Sequence, residues 1–319
     1  MGVGVILVGE PMGLFIAQNE GRLDQVTDYS MSVAGAELNV AIGLTRLGHK
    51  VTYLTKVGND PFGKFIVDRL VQNGIGSEGV SYSDKNATGF MLKSRVSVGD
   101  PEIFYFRKNS AASTLCTKDI DQVDFKAYSH LHLTGIFPAL SPQTREATFY
   151  LIDKARANGL TICFDPNLRP QLWRSKEEMI QVINQIAAKA DLVLPGENEG
   201  EILCGSSDPE VISNFYLGLN VKTVIVKLGA KGAFVAYGDK RARVEGFKVK
   251  EVIDTVGAGD GFAAGTMSAL LEGKSFEEAA LRGNAIGAIQ VMSRGDNEGL
   301  PCYEALEAFI ESRRGGDER

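Results

Sequence analysis

Asp254-Thr255-Val256-Gly257-Ala258-Gly259-Asp260-Gly261-Phe262-Ala263-Ala264-Gly265 is the stretch on which the reading of this chain turns. A β-rich run closes at Asp254 and small residues then open a helix. That order predicts that the N–H groups of Gly257 to Asp260 converge beside the positive end of a helix dipole. Such a helix start cradles anions. The acid inside it, Asp260, would stand next to the bound group, where a carboxylate can take the proton of an attacking hydroxyl. Asp also suits plain helix capping, and spacing alone leaves both roles open.

Outward from this stretch, the 319 residues are 44% hydrophobic and 23% charged, enough apolar material for a large core. At roughly 100–200 residues per domain the length fits one large α/β domain or two small ones. The net charge of -6, from 40 acidic and 34 basic residues, argues against a nucleic-acid-binding surface. The 36 glycines exceed the average share of about 7% without collagen period or low complexity, so their positions carry information. No apolar stretch reaches the roughly 18 residues of a membrane span. The start, Met1-Gly2-Val3-Gly4-Val5-Ile6, has no basic segment before its apolar run and reads as a strand rather than a signal peptide. Cys116, Cys163, Cys204 and Cys302 show no CxxC spacing, which predicts free thiols, a reducing compartment and a cytoplasmic protein.

β-Branched runs at 3–8, 51–55, 130–134, 161–164, 192–194 and 223–227 alternate with helical patterns at 36–47, 62–73, 142–158 and 177–188. The alternation predicts right-handed βαβ units, hence a mainly parallel sheet with helices on both faces. With no linker and no repeat, one domain over 1–319 is expected. Residues 14–33 and 90–107 break the pattern with period-2 strands, Phe104-Tyr105-Phe106-Arg107 among them. They predict a small antiparallel sheet, built from segments at about 12–34 and 86–110, that covers a cleft as a lid or serves as an oligomer contact. The last third is helical over 258–272, 276–292 and 303–312, and 313–319 reads as a frayed tail.

Three competing motifs fail. Gly58-Asn59-Asp60-Pro61-Phe62-Gly63-Lys64 has the GxxxxGK spacing, but Phe65 stands where a Walker loop needs Ser or Thr. Gly2-Val3-Gly4 precedes the first strand and lacks the third glycine of a dinucleotide fingerprint. His130 and His132 share a strand face without a third His or Cys nearby, which disfavours zinc.

The Asp254–Asp260 stretch resembles the C-terminal DTxGAGD signature of the ribokinase-like (PfkB) family of sugar kinases. Gly35-Ala36-Glu37-Leu38-Asn39 resembles its N-terminal glycine signature, with Ala34 in place of the first glycine. The resemblance extends through Asp165-Pro166-Asn167-Leu168-Arg169-Pro170, Asn198-Glu199-Gly200-Glu201 and Val226-Lys227-Leu228-Gly229-Ala230-Lys231-Gly232. It implies a three-layer α/β/α domain with a β-strand lid and transfer of the ATP γ-phosphate to a sugar hydroxyl.

In that reading Asp260 is the general base, and the backbone of Gly257, Ala258 and Gly259 steadies the transferred phosphoryl. Asn198 and Glu201 match the NxxE pair that organises Mg²⁺ through water, a helix cap being the other reading of the same residues. Lys227, Gly229 and Gly232 fall on the nucleotide side, with Lys227 either on phosphate or snorkelling, and Asn284 falls near the adenine. Asp254 and the turn at 293–295 lie where many relatives bind a monovalent cation, so K⁺ joins ATP and Mg²⁺ among the expected ligands.

Gly35 and Asn39 would border the sugar. Arg107 on the lid and Arg169 after a core strand would converge on it, a pair suited to a carboxylate. The alternative is one solvated arginine and one bonded to loop carbonyls. The text around Gly9-Glu10-Pro11-Met12, Tyr105, Arg107 and Arg169 looks most like 2-keto-3-deoxygluconate kinases, although Met91 stands where relatives often carry a Tyr. Fructokinases share the DPNxR and Leu-Trp text, so a neutral-sugar kinase is the runner-up. A non-catalytic sugar or nucleotide sensor is the reading of another class. The lid's edges suggest a homodimer or higher homo-oligomer.

Overall fold

The computed structural model describes residues 4–96 and 101–314, with the side chain of residue 314 left aside. Val3 of the first expected strand, residues 97–100 of the second lid segment and residues 315–319 of the expected tail lie outside the described residues. The chain opens with β1 (Val5–Val8), runs out through β2 (Met12–Glu20) and β3 (Tyr29–Ala34), and returns through α1 (Ala36–Arg46) and β4 (Val51–Gly58). It continues through α2 (Pro61–Gln72), β5 (Val80–Ser83), β6 (Phe90–Arg95), β7 (Ile103–Phe106), α3 (Thr117–Ile120) and β8 (His130–Thr134). Then come α4 (Pro142–Ala157), β9 (Thr161–Asp165), α5 (Lys176–Ala187), β10 (Leu192–Val193), α6 (Glu197–Cys204), α7 (Pro209–Gly218) and β11 (Thr223–Lys227). A hairpin of β12 (Ala233–Tyr237) and β13 (Lys240–Val244) precedes α8 (Ala258–Leu271), α9 (Phe276–Gln290) and α10 (Tyr303–Arg314).

The main sheet has nine strands in the order β13-β12-β11-β10-β9-β8-β1-β4-β5. Its strands are parallel from β11 to β5, and the β12–β13 hairpin adds an antiparallel edge. β1 is buried on both faces and shows how the layers form. Ile6 and Val8 join a core with α4, α5 and α7, while Val5 and Leu7 face α1, α8 and α9 on the other side. A central parallel strand therefore reads as a continuous apolar run, because each face meets its own helix layer.

Two expectations change here. The lid is a four-stranded mixed sheet, β3-β2-β6-β7, rather than an antiparallel one. The β2–β3 and β6–β7 pairs are antiparallel, but β2 pairs with β6 in parallel. These two strands start side by side, the Gly13 N–H donating to the Gly89 carbonyl at 3.0 Å, and run the same way. Among the described residues the segment at 245–254, ahead of Asp254, forms no strand, so the expected β-run does not end there. Its N-terminal end is held instead by Asn284, whose amide donates to the carbonyls of Val244 and Glu245, at 3.1 Å each.

Helices α8 and α9 pack closely because glycines face each other. A Cβ at Gly265 would lie 2.8 Å from the Arg282 carbonyl and 3.0 Å from the Gly283 Cα. Both are backbone atoms that cannot rotate aside. Gly265→Ala is expected to lower stability by about 1–3 kcal/mol through overpacking, read as a lower urea midpoint with an unchanged slope.

Candidate active site

The site lies where the C-terminal ends of the parallel strands meet the lid. A cavity of about 670 Å³ there is lined by Gly35, Asn39, Met91, Tyr105, Arg107, Asn167, Arg169, Asn198, Lys227, Gly257, Gly259 and Asp260, among others. β7 places Tyr105 opposite Met91 on the inner face of the lid, so that face meets the cavity. A second, more apolar cavity of about 350 Å³ includes Gly232, Phe247, Asn284, Gly287, Ala288 and Val291. Lys227, Gly229, Thr255 and Gly259 line both, so the two cavities meet at the start of α8.

At that start, Gly257 adopts φ 79°, and a Cβ on it would stand 2.1 Å from the Asp296 carbonyl. Only glycine fits such a turn. Asp260 sits in the first turn of α8, whose N-cap, Gly257, offers no side-chain capping bond. The carboxylate instead accepts from Asn39 Nδ2 at 2.8 Å and from Asn167 Nδ2 at 3.2 Å. The bonds of the Asp260 side chain thus go to two amides and not to the helix start. Asn297 donates to Asn39 Oδ1 at 3.0 Å, which turns the Asn39 amide so that its donor points at Asp260. Burial pushes the Asp260 carboxyl up to about 6, against the lowering influence of Asn39, Arg169 and Lys227.

Asn167 was quoted in the sequence only as part of a motif, and the structure makes it the second amide on Asp260. It adopts φ 38°, a left-handed conformation that Asn tolerates better than most residues. Lys227 neither snorkels nor reaches out freely. Its ammonium bonds both Asp165 oxygens, at 2.8 and 2.7 Å, and lies 3.9 Å from Glu199. Burial alone would lower its pKa, but these carboxylates raise it on balance. It therefore stands as a fixed positive charge close to the Gly259 backbone, where a Cβ would be 4.0 Å from Nζ.

Glu201 does not belong to the site: it is exposed on α6 and lines neither cavity. The acid at that place is Glu199, which closes a capping bond to Gly196 N–H at 2.7 Å and accepts from Leu168 N–H at 3.1 Å. The two residues lie two positions apart, about 200° around a helix, so they point to different sides. Asn198 does line the larger cavity. Asn284 lines the apolar cavity but directs its amide at the Val244 and Glu245 carbonyls, so it holds the rim. Gly232, at φ 95°, lets that rim close in, since a Cβ there would stand 2.0 Å from the Val244 carbonyl.

At the end of the cavity under the lid, Arg107 is already engaged: its Nε donates to Glu10 Oε2 at 2.7 Å, its Nη2 forms an ion pair with the same carboxylate, and Ser110 bonds the other oxygen. Arg169 donates from Nη1 to the Leu168 carbonyl at 2.9 Å, the loop bonding that was one of its two sequence readings, while it still lines the cavity. Gly35, at φ 147°, brings its backbone within a Cβ distance of 2.8 Å from the Glu10 carbonyl. Glu37 also lines the cavity; burial pushes its carboxyl up to about 7 although Thr134 donates to it.

Asp254 was expected to hold a monovalent cation. The structure places the Lys93 ammonium on its Oδ2 at 2.8 Å, with Asp296 Oδ1 at 3.2 Å. Glu10, Glu37, Asn167, Glu199, Lys93 and Asn297 thus join the site without having been singled out. Lys93 left one signal, a charge on the same inward face of β6 as Met91.

The chain is 45% identical over 315 residues to a 2-dehydro-3-deoxygluconokinase of Bacillus subtilis, covering 98% of this chain and 97% of the relative. A putative ribokinase II from E. coli, solved with ATP and Mg²⁺, superposes with a TM-score of 0.87 at 30% identity, over 98% of this chain and all of that one. A fructokinase double mutant from Vibrio cholerae O395, solved with fructose, ADP and potassium, gives 0.85 at 26% identity over 97% of this chain and 99% of that one. Residues 4–302 match the pfkB family carbohydrate kinase model, and with the α/β/α layers, the lid and the α8 cradle in place, the chain belongs to that family as a ribokinase-like sugar kinase.

Proposed function

We propose that this protein is an ATP-dependent 2-keto-3-deoxygluconate kinase that makes 2-keto-3-deoxy-6-phosphogluconate. One observation carries the reading: a buried Asp260, raised to about 6 and held by two amides, stands at the α8 cradle in the cavity that Arg169 and Arg107 also line. The likeness to the Bacillus subtilis enzyme supports the choice of sugar. The chain acts as one domain over residues 1–319, with lid segments at 12–34 and 86–110, in the cytoplasm. The four cysteines are free, and among the described residues no helix is long and apolar enough to cross a membrane.

The adenine occupies the apolar cavity between Gly229, Gly232 and α9, with the phosphates running to the α8 start. Among the described residues no group of three or more His, Cys, Asp or Glu side chains is arranged to hold a metal ion. That suits Mg²⁺, which keeps its waters and takes its other ligands from phosphates and one or two carboxylates. Asn198 and Glu199 would meet those waters. ATP bound with Mg²⁺ supplies the phosphoryl group and neutralises charge between its phosphates.

Asp260 accepts the hydroxyl proton of the sugar as the oxygen bonds to the γ-phosphorus and the bond from phosphorus to the ADP oxygen breaks. The N–H groups of Gly257, Ala258 and Gly259 and the Lys227 ammonium steady the charge that develops on the phosphoryl oxygens. Asn39 and Asn167 keep Asp260 aimed. Gly35, Tyr105 and Arg107 position the sugar, and Arg169 takes its carboxylate.

Asp260→Asn is expected to cut kcat by about 10²–10⁴-fold while calorimetry still shows ATP binding. A sensor would bind and never turn over. The base must be ionised, so kcat/KM, which reports the ligand-free enzyme, should fall as pH drops through about 6. Asn39→Ala removes a bond that favours the carboxylate, so the acid limb of the profile should move to higher pH.

For the substrate, Arg169→Ala should raise KM for 2-keto-3-deoxygluconate by about 10–100-fold, the worth of a charge-assisted bond, and leave a neutral sugar unaffected. An ATP-consumption screen over acid and neutral sugars decides between this reading and fructokinase. Robust turnover of fructose with none of the acid sugar would remove it.

The outer face of the lid carries Met31, Phe104 and Phe106, exposed at 40, 54 and 45%. In register, Met31, Phe15, Leu92 and Phe104 form one row across all four strands, which suits pairing with a second copy. Phe104→Glu with Phe106→Glu should turn a sedimenting dimer into a monomer.

A further inference from the structure

We propose that the Lys93 ammonium serves as a built-in monovalent cation behind the phosphate cradle, so that this kinase requires no K⁺. The inference rests on the reading that the α8 start binds nucleotide phosphates, and not on which sugar is phosphorylated.

Lys93 projects from the inner face of β6 and is buried, its side chain 5% exposed. It lies between Asp254 and Asp296, at 2.8 and 3.2 Å, whose side chains are 11 and 6% exposed. Two carboxylates buried this closely repel each other and any incoming polyanion unless a cation stands between them. Lys93 supplies that charge. Burial raises the Asp296 carboxyl and Lys93 opposes the rise.

Both carboxylates belong to the cradle's own support. Asp254 Oδ1 accepts from Val256 N–H at 3.0 Å, and the Asp296 main chain packs against Gly257 so closely that a Cβ has no room. Two backbone carbonyls next to these acids along the chain are also engaged. Gln290 Nε2 donates to the Gly295 carbonyl at 2.8 Å and to the Val256 carbonyl at 3.3 Å. A K⁺ ion would have to displace an ammonium that already satisfies the charge. Because Lys93 rides on the lid, the cradle is completed only when β6 lies against the body of the protein.

The test uses the full chain with choline or K⁺ as the sole monovalent cation at equal ionic strength. The readouts are ADP affinity by calorimetry, kcat, and ²⁰⁵Tl NMR as a direct probe of cation binding. The unmodified protein should give ADP affinities and rates that agree within about twofold between the two salts and should show no saturable Tl⁺ site. Lys93→Ala opens the space: its ADP affinity should drop about tenfold or more in choline, recover with K⁺ or NH₄⁺, and be accompanied by a new Tl⁺ site. Strong K⁺ stimulation or a saturable Tl⁺ site in the unmodified protein overturns the proposal, as does Lys93→Ala with unchanged ADP affinity in choline. Should Lys93→Ala melt or aggregate, the unmodified protein's salt comparison and Tl⁺ spectrum decide on their own. A failure of the sugar reading would appear in the substrate screen and leave the ADP and Tl⁺ results untouched.

Discussion

Burying carboxylates in a cleft that must also admit a polyanion is the constraint on which this structure depends. Each buried acid without a partner would either take up a proton or repel the nucleotide. The chain assigns a cation to most of them: Arg107 to Glu10, Lys227 to Asp165, and Lys93 to Asp254 and Asp296. Asp260 is treated differently. Among the described residues it forms no salt bridge and is held by the neutral amides of Asn39 and Asn167. An amide aims a carboxylate without cancelling its charge. Burial can then raise Asp260 to about 6, basic enough to accept a proton and still ionised at neutral pH.

The same constraint shapes the end of the cleft under the lid. Two of the Arg107 donors already serve Glu10, so this guanidinium is positioned by a buried acid more than it is free to clamp a carboxylate. Among the described residues Arg169 donates to one carbonyl, that of Leu168, and the rest of its fork is not committed to a side chain. The two arginines therefore differ in what they have left to offer, Arg169 more than Arg107, under the proposed acid-sugar reading.

Much of this was legible in the sequence, because the main sheet and its helices are built from local periodicity. The apolar run at β1 and the helical spacing of α1, α2, α4 and α5 locate the layers within a residue or two. The cradle was equally readable, since its glycines and acid are contiguous. Pairing direction in the lid was not, because alternation along β2 and β6 says which side chains share a face and nothing about how two strands align. The distinction between Glu199 and Glu201 also escaped. The spacing from Asn198 selects Glu201, whereas the helix start at Gly196 turns Glu199 inward.

Lys93 shows the limit most clearly. A lysine in an amphipathic lid strand reads as solvated, as long cationic side chains usually are. Its partners are 161 and 203 residues away, in segments that themselves have no regular structure. What makes it buried is the cost of two carboxylates placed beside a phosphate cradle, a cost that exists only once the fold is closed. A charge on the inward face of a period-2 strand is thus evidence of an acid across the interface, because burial without one would not be tolerated. The lid's lysine and the cradle's acids are a single feature divided between distant parts of the chain, and it joins the closing of the lid to the electrostatics of the phosphate site.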